Sequence, residues 1–203
     1  MKQVIYAIAS AVLLLAVSCN NDAQQETKTT ADAMQTAYAE KPDSATRVKR
    51  GEYLVTIMAC NDCHTPKKMT DKGPMPDMDR MLSGYDASQP LPAFDTVAAK
   101  SGKWAFFCGK GTAFAGPWGV SYAANLTPDG TGIGNWTIEN FKKAFREGKS
   151  KGIDAARPLL PPMPWQNYTQ VKDEDVEAIF AYLKSIKPVE NRVPNCIIAF
   201  EKH

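Results

Sequence analysis

Cys60-Asn61-Asp62-Cys63-His64 places two thiols three positions apart, with a histidine directly after the second. A thiol pair at this spacing reaches the two vinyl groups of one porphyrin. The next side chain then falls beneath the ring, where a neutral imidazole nitrogen ligates iron. The pattern C-x-x-C-H therefore reads as a covalent attachment site for one haem c, with His64 on the iron. Two other chemistries use C-x-x-C. A zinc site needs about four ligands, and the only other histidine is the terminal His203. A dithiol redox site belongs in a βαβ setting, and no such alternation surrounds residues 60–64.

Upstream, Lys2 precedes an apolar run from Val4 to Val17, too short to span a bilayer and of the length of a secretory h-region. Its end, Leu15-Ala16-Val17-Ser18-Cys19, resembles a bacterial lipobox. Residues 1–18 are thus expected to be a lipoprotein signal peptide and Cys19 the lipidated first residue of the mature chain; ordinary cleavage near Ser18 is the alternative. Residues 19–45 lack apolar periodicity and are rich in Ala, Gln, Thr, Asp and Lys, so they bury too little surface to offset ordering and read as a flexible tether. Acyl chains on Cys19 would hold the mature chain at a membrane with no spanning helix, in the bacterial periplasm.

Residues 46–203, roughly 158 in number, fit one domain. A net charge of +2 argues against nucleic-acid binding, which needs a concentrated basic face. Three helices are predicted. Val48, Gly51, Val55 and Met58 recur at helical spacing over 46–59. A capping Thr137 precedes Ile138, Phe141, Ala144 and Phe145, with Gly148 as a stop. From Asp173 to Lys187, three acidic residues open and two lysines close a helix striped by Val176, Ile179, Phe180 and Leu183, which Pro188 ends. Residues 65–95, broken by five prolines and two glycines, read as a long loop. The aromatic, glycine-broken segment 104–125 reads as short strands or a hairpin. The fold class is mainly α, with three or more helices around one haem and long loops.

Iron with one protein ligand binds gases and peroxide, whereas iron held by histidine and methionine shuttles electrons at a raised potential. Of eight methionines, Met163 is the best placed to be that second ligand. It sits in Leu159-Leu160-Pro161-Pro162-Met163-Pro164-Trp165, where three prolines fix the backbone, just before the last helix. The competing reading is a gap-filling core methionine.

Arg50-Gly51-Glu52-Tyr53-Leu54-Val55, Asn125-Leu126-Thr127-Pro128-Asp129, Thr131-Gly132-Ile133-Gly134-Asn135-Trp136, Pro162-Met163-Pro164-Trp165 and Ala181-Tyr182-Leu183-Lys184 together resemble a class I cytochrome c domain. The likeness is to those of membrane-bound dehydrogenase cytochrome subunits, over about Arg50–Pro188. The resemblance implies a cytochrome c fold whose first and last helices cross closely at Gly51, and a haem pocket lined around Asn125 and Trp136. It also implies single-electron transfer rather than catalysis. Such subunits repeat C-x-x-C-H; here it occurs once, as in a separate monohaem carrier. The expected partners are a redox donor and acceptor: a dehydrogenase, a terminal oxidase or another cytochrome. A subunit of a dehydrogenase complex, and a haem peroxidase or gas sensor with an open iron, are the alternatives.

Two cysteines remain, Cys108 and Cys196. In an exported protein leftover cysteines commonly pair, so a disulfide is expected, with two separately buried thiols as the alternative.

Overall fold

Asp43 opens the first helix by accepting the backbone N–H of Thr46 at 2.7 Å, which satisfies one of the orphan donors of the first turn. The computed structural model describes residues 43–198; the leader, Cys19 and most of the tether lie outside them. Helix α1 spans Ser44–Ile57. It ends where Ala59 adopts a left-handed conformation (φ 56°), and a one-turn helix α2, Cys60–His64, begins immediately beyond. The haem motif thus forms its own turn, set at an angle to α1 by a single strained alanine.

After a short helix α3 (Thr96–Lys100), helix α4 covers Ile138–Glu147. Thr137 and Asn140 exchange side-chain bonds with each other's backbone N–H in a capping box, and Gly148 closes the helix at φ +65°. Helix α5 covers Asp173–Ser185. Helices α1 and α5 cross at Gly51, where a Cβ would lie 2.0 Å from the Ala178 carbonyl oxygen and 2.7 Å from Tyr182 Cβ. Only glycine permits that approach. Beside the crossing, Arg50 holds Asp175 through two hydrogen bonds of 2.8 and 3.2 Å. The core is filled by Leu54 and Val55 of α1, Phe141 and Phe145 of α4, and Val176, Ile179 and Leu183 of α5, with Leu82 and Ile133 from the loops. Each such burial contributes about 1.5–3 kcal/mol. Gly51→Ala is expected to lower stability by about 2–3 kcal/mol through overpacking, read as a fall in the urea midpoint. An unchanged midpoint would contradict the close crossing.

The strands are short. β1 (Lys67–Thr70) and β2 (Gly73–Pro76) form an antiparallel hairpin. β3 (Phe106–Phe107), β4 (Ala113–Gly116), β5 (Gly119–Tyr122) and β6 (Ile197–Ile198) form an antiparallel sheet in chain order. The architecture is mainly helical, as expected, and the strands of 104–125 are where the sequence placed them. The segment 65–95 differs from expectation: it holds the β1–β2 hairpin and a 3-10 turn at Met78–Arg80. Both hairpin strands are largely exposed, so no apolar alternation marks them. Prolines are tolerated in a two-stranded ribbon that is all edge.

The expected Cys108–Cys196 bond is absent, and both are free thiols. Cys108 follows β3 and Cys196 precedes β6, the outer strands of the sheet, with β4 and β5 between them. Three strand spacings of about 4.8 Å exceed the roughly 7 Å that a disulfide spans between Cα atoms. The Cys108 sulfur instead accepts the Ala113 N–H at 3.2 Å.

Candidate functional site

Helix α2 brings Cys60, Cys63 and His64 onto one turn, each half-buried. Burial pushes the Cys60 thiol up to about 11, helped by Cys63 and Asp62, and burial likewise raises Cys63. Both sulfurs therefore stay neutral at pH 7. That separates them from a dithiol redox pair, whose attacking cysteine is a depressed-pKa thiolate. Among the described residues, no group of three or more His, Cys, Asp and Glu side chains is arranged to hold a metal ion.

The His64 ring nitrogen Nδ1 lies 2.7 Å from the carbonyl oxygen of Ala124. A carbonyl only accepts, so Nδ1 carries the proton and Nε2 keeps its lone pair. Burial lowers the His64 pKa, with Lys67 adding to the effect and the Ala124 bond opposing it, so the ring is neutral at pH 7. An oriented, neutral imidazole with one bare nitrogen is the form that ligates iron, its other nitrogen fixed by a backbone carbonyl. Two unpaired neutral thiols and this imidazole on one turn fit a covalently attached haem.

The backbone carbonyl of His64 accepts the N–H of Gly84 at 2.7 Å, and Tyr85 N–H bonds to Ala123 O at 2.9 Å. The segments 82–85 and 123–126 thus grip the histidine from both ends. Gly84 sits at φ +80°, where a Cβ would lie 2.5 Å from Ala123 O; the buried Leu82 takes φ +59°.

Met163 is half-buried on the strap 159–165, anchored on both sides. Ser121 Oγ of β5 donates to the Pro161 carbonyl at 2.5 Å, and Trp165 lies against Gly148, where a Cβ would meet its ring at 2.4 Å. Ser121 and Ala124 are three residues apart on β5 and its continuation, about 10 Å in extended chain. One segment therefore holds both the histidine and the methionine strap.

Asn125 uses both ends of its amide on the chain itself. Its Nδ2 donates to Val189 O at 2.9 Å, and to Thr131 Oγ1 and Asn191 O at 3.3 Å each. Its Oδ1 accepts Thr127 N–H at 2.9 Å and the Thr127 hydroxyl at 2.8 Å. Trp136 packs partly buried against the core. Tyr168, which sequence reading missed, belongs to the site: its pKa is raised by burial and by the neighbouring Cys60 and Cys63. Its ring stacks on Phe145 at 4.7 Å and 6°. The one available signal was its position five residues beyond Met163.

The family model described as cytochrome c matches residues 48–187. The chain is 32% identical over 163 residues to the fructose dehydrogenase cytochrome subunit of Gluconobacter japonicus, covering 78% of this chain and 26% of that protein. It is 34% identical over 144 residues to the gluconate 2-dehydrogenase cytochrome c subunit of Pantoea cypripedii, covering 70% and 24%. It is 31% identical over 163 residues to the cytochrome c subunit of the quinone-dependent alcohol dehydrogenase of Gluconobacter oxydans, covering 78% and 26%. The chain thus spans about a quarter of the length of these relatives.

Proposed function

The chain belongs to the cytochrome c family, which carries haem c covalently, and from that premise we propose that it is an exported monohaem carrier of single electrons. Cys60 and Cys63 would hold the haem by thioether bonds, and His64 Nε2 and the Met163 sulfur would hold its iron. The observation that carries this reading is the 2.7 Å bond from His64 Nδ1–H to Ala124 O. It fixes a neutral, oriented imidazole beside two unpaired thiols. When bound, the haem supplies a one-electron iron couple.

The residues of the chain do the rest. Ala124 holds the imidazole in one tautomer, Ser121 steadies the Met163 strap, and the aromatic column of Phe141, Phe145 and Tyr168 supplies apolar surroundings next to the thiols. Asn125 acts by fixing the backbone beside Ala124. The test is a spectroelectrochemical titration with carbon monoxide as a second arm. A one-electron Nernst slope and a reduced protein that does not bind carbon monoxide are expected. Ready carbon monoxide binding with peroxide turnover would favour the peroxidase or sensor reading instead.

The similarity to dehydrogenase cytochrome subunits supports a dehydrogenase as electron donor, and in this reading a terminal oxidase or another cytochrome is the acceptor. Co-purification with a larger catalytic chain from detergent-solubilised membranes tests whether the carrier is a stable subunit. Among the described residues no helix is long and apolar enough to cross a membrane. Residues 1–18 act as the signal peptide, residues 19–45 as a tether, and acylated Cys19 anchors the domain 46–203 at the periplasmic face of a membrane. Cys19→Ala is expected to release a soluble haem protein; membrane retention unchanged by that substitution would remove the anchor.

A further inference from the structure

We infer that Asn191 is a positioning residue for the iron's proximal ligand, acting through a clasp that the chain closes after its last helix. The inference rests on the reading of His64 as that ligand. Asn191 lies beyond α5, in a segment with no regular structure, yet every polar group it has is engaged. Its side-chain Nδ2 donates to the carbonyls of Ser83 and Tyr85, both at 2.7 Å, and its Oδ1 accepts the N–H of Ala87 at 3.1 Å. Its backbone N–H donates to Thr131 Oγ1 at 2.9 Å, and its carbonyl accepts Asn125 Nδ2 at 3.3 Å.

Ser83 and Tyr85 flank Gly84, whose N–H holds the His64 carbonyl. Asn125 follows Ala124, whose carbonyl holds the His64 ring. One asparagine therefore ties together the two segments that grip the histidine, its side chain on one and its main chain on the other. Among the described residues, the stretch 83–87 is hydrogen-bonded to the chain beyond α5 through this side chain. An amide is the side chain for the task, because two carbonyls and an N–H require two donors and one acceptor on a single flat group. Aspartate has the same shape and would turn an oxygen toward two carbonyl oxygens.

The experiment uses the holoprotein labelled with 15N-histidine. The chain has two histidines, so the ring signals are assigned by comparison with a His203→Gln variant. In the oxidised wild type the His64 ring signals are expected to be strongly shifted by the iron. Unshifted signals would remove the ligation reading, and this inference with it. Given shifted signals, Asn191→Ala and Asn191→Asp are expected to speed solvent exchange of the His64 Nδ1 proton at least tenfold and to move the midpoint potential. Val176→Ala, which opens a cavity in the core on α5 and touches none of the hydrogen bonds of the clasp, is expected to leave the exchange rate within a factor of two.

Exchange unchanged in the Asn191 variants, or accelerated equally by Val176→Ala, would reduce Asn191 to a general structural role and overturn the inference. Should neither Asn191 variant fold, the unaltered protein decides the matter. In low urea the Asn191 side-chain amide, the Gly84 and Ala87 amides and the His64 ring proton are expected to exchange with one common denaturant dependence. Separate dependences would show that the clasp and the histidine open independently, and would overturn the inference.

Discussion

Met163→Ala lowers the midpoint potential by on the order of 0.1–0.3 V, within the roughly 0.8 V that axial ligation spans, and lets the reduced protein bind carbon monoxide. Thioether sulfur favours ferrous iron, so its loss stabilises the oxidised form. Haem attachment itself should survive, because the thiols and His64 stand on α2 and are held by residues 82–85 and 123–124, none of which involves Met163. Spectroelectrochemistry reads the potential, and the far-red band of a thioether–iron bond should vanish. A potential that does not move, with that band intact, would assign the position to another methionine. Ser121→Ala, which cuts the 2.5 Å anchor of the strap, should weaken the same band without abolishing it.

Alanine at both Cys60 and Cys63 removes all covalently held haem. Either single substitution leaves one thioether. The effect is complete because covalent retention needs a sulfur, and the other two described thiols, Cys108 and Cys196, lie at the outer strands of the sheet. The readout is the mass of the tryptic peptide spanning residues 51–67, which should carry one haem in the wild type and none in the double variant. A haem still bound covalently in the double variant would move the attachment site elsewhere.

The helices were legible because their ends carry chemistry that acts locally. Thr137 and Gly148 mark α4 at both ends, and Asp173, Glu174 and Asp175 fill the first turn of α5. The crossing at Gly51 was legible only through family resemblance, since nothing within α1 names the residue that meets it. The hairpin after His64 was not legible, because its exposed strands bury no alternating face. The fourth strand, β6, depends on pairing far along the chain with β5, Ile198 against Gly119 and Ile197 against Val120, and two isoleucines carry no such address.

At the site, C-x-x-C-H gave the thiols and the histidine, yet the partner that fixes the imidazole is a backbone carbonyl, at Ala124. No side-chain pattern encodes it. Asn125 was read as pocket lining from family resemblance, whereas its hydrogen bonds brace the chain beside that carbonyl and reach the segment after α5. Asn191 carries no signal in the sequence for the same reason: its role exists only once the loops around residues 84 and 124 are brought together. Elimination pairs Cys108 with Cys196 by counting cysteines, and no count shows the two strands that lie between them.

The central claim, that His64 and Met163 hold one haem iron between them, is tested most directly by proton–carbon NMR of the reduced holoprotein labelled at its methionine methyls. A methyl bonded through sulfur to iron lies over the porphyrin face and is thrown far outside the ordinary methyl region by the ring current. One of the seven methionine methyls left once residues 1–18 are removed should stand there in the wild type and be missing in Met163→Leu. No displaced methyl in the wild type, or one that persists in Met163→Leu, would contradict the account.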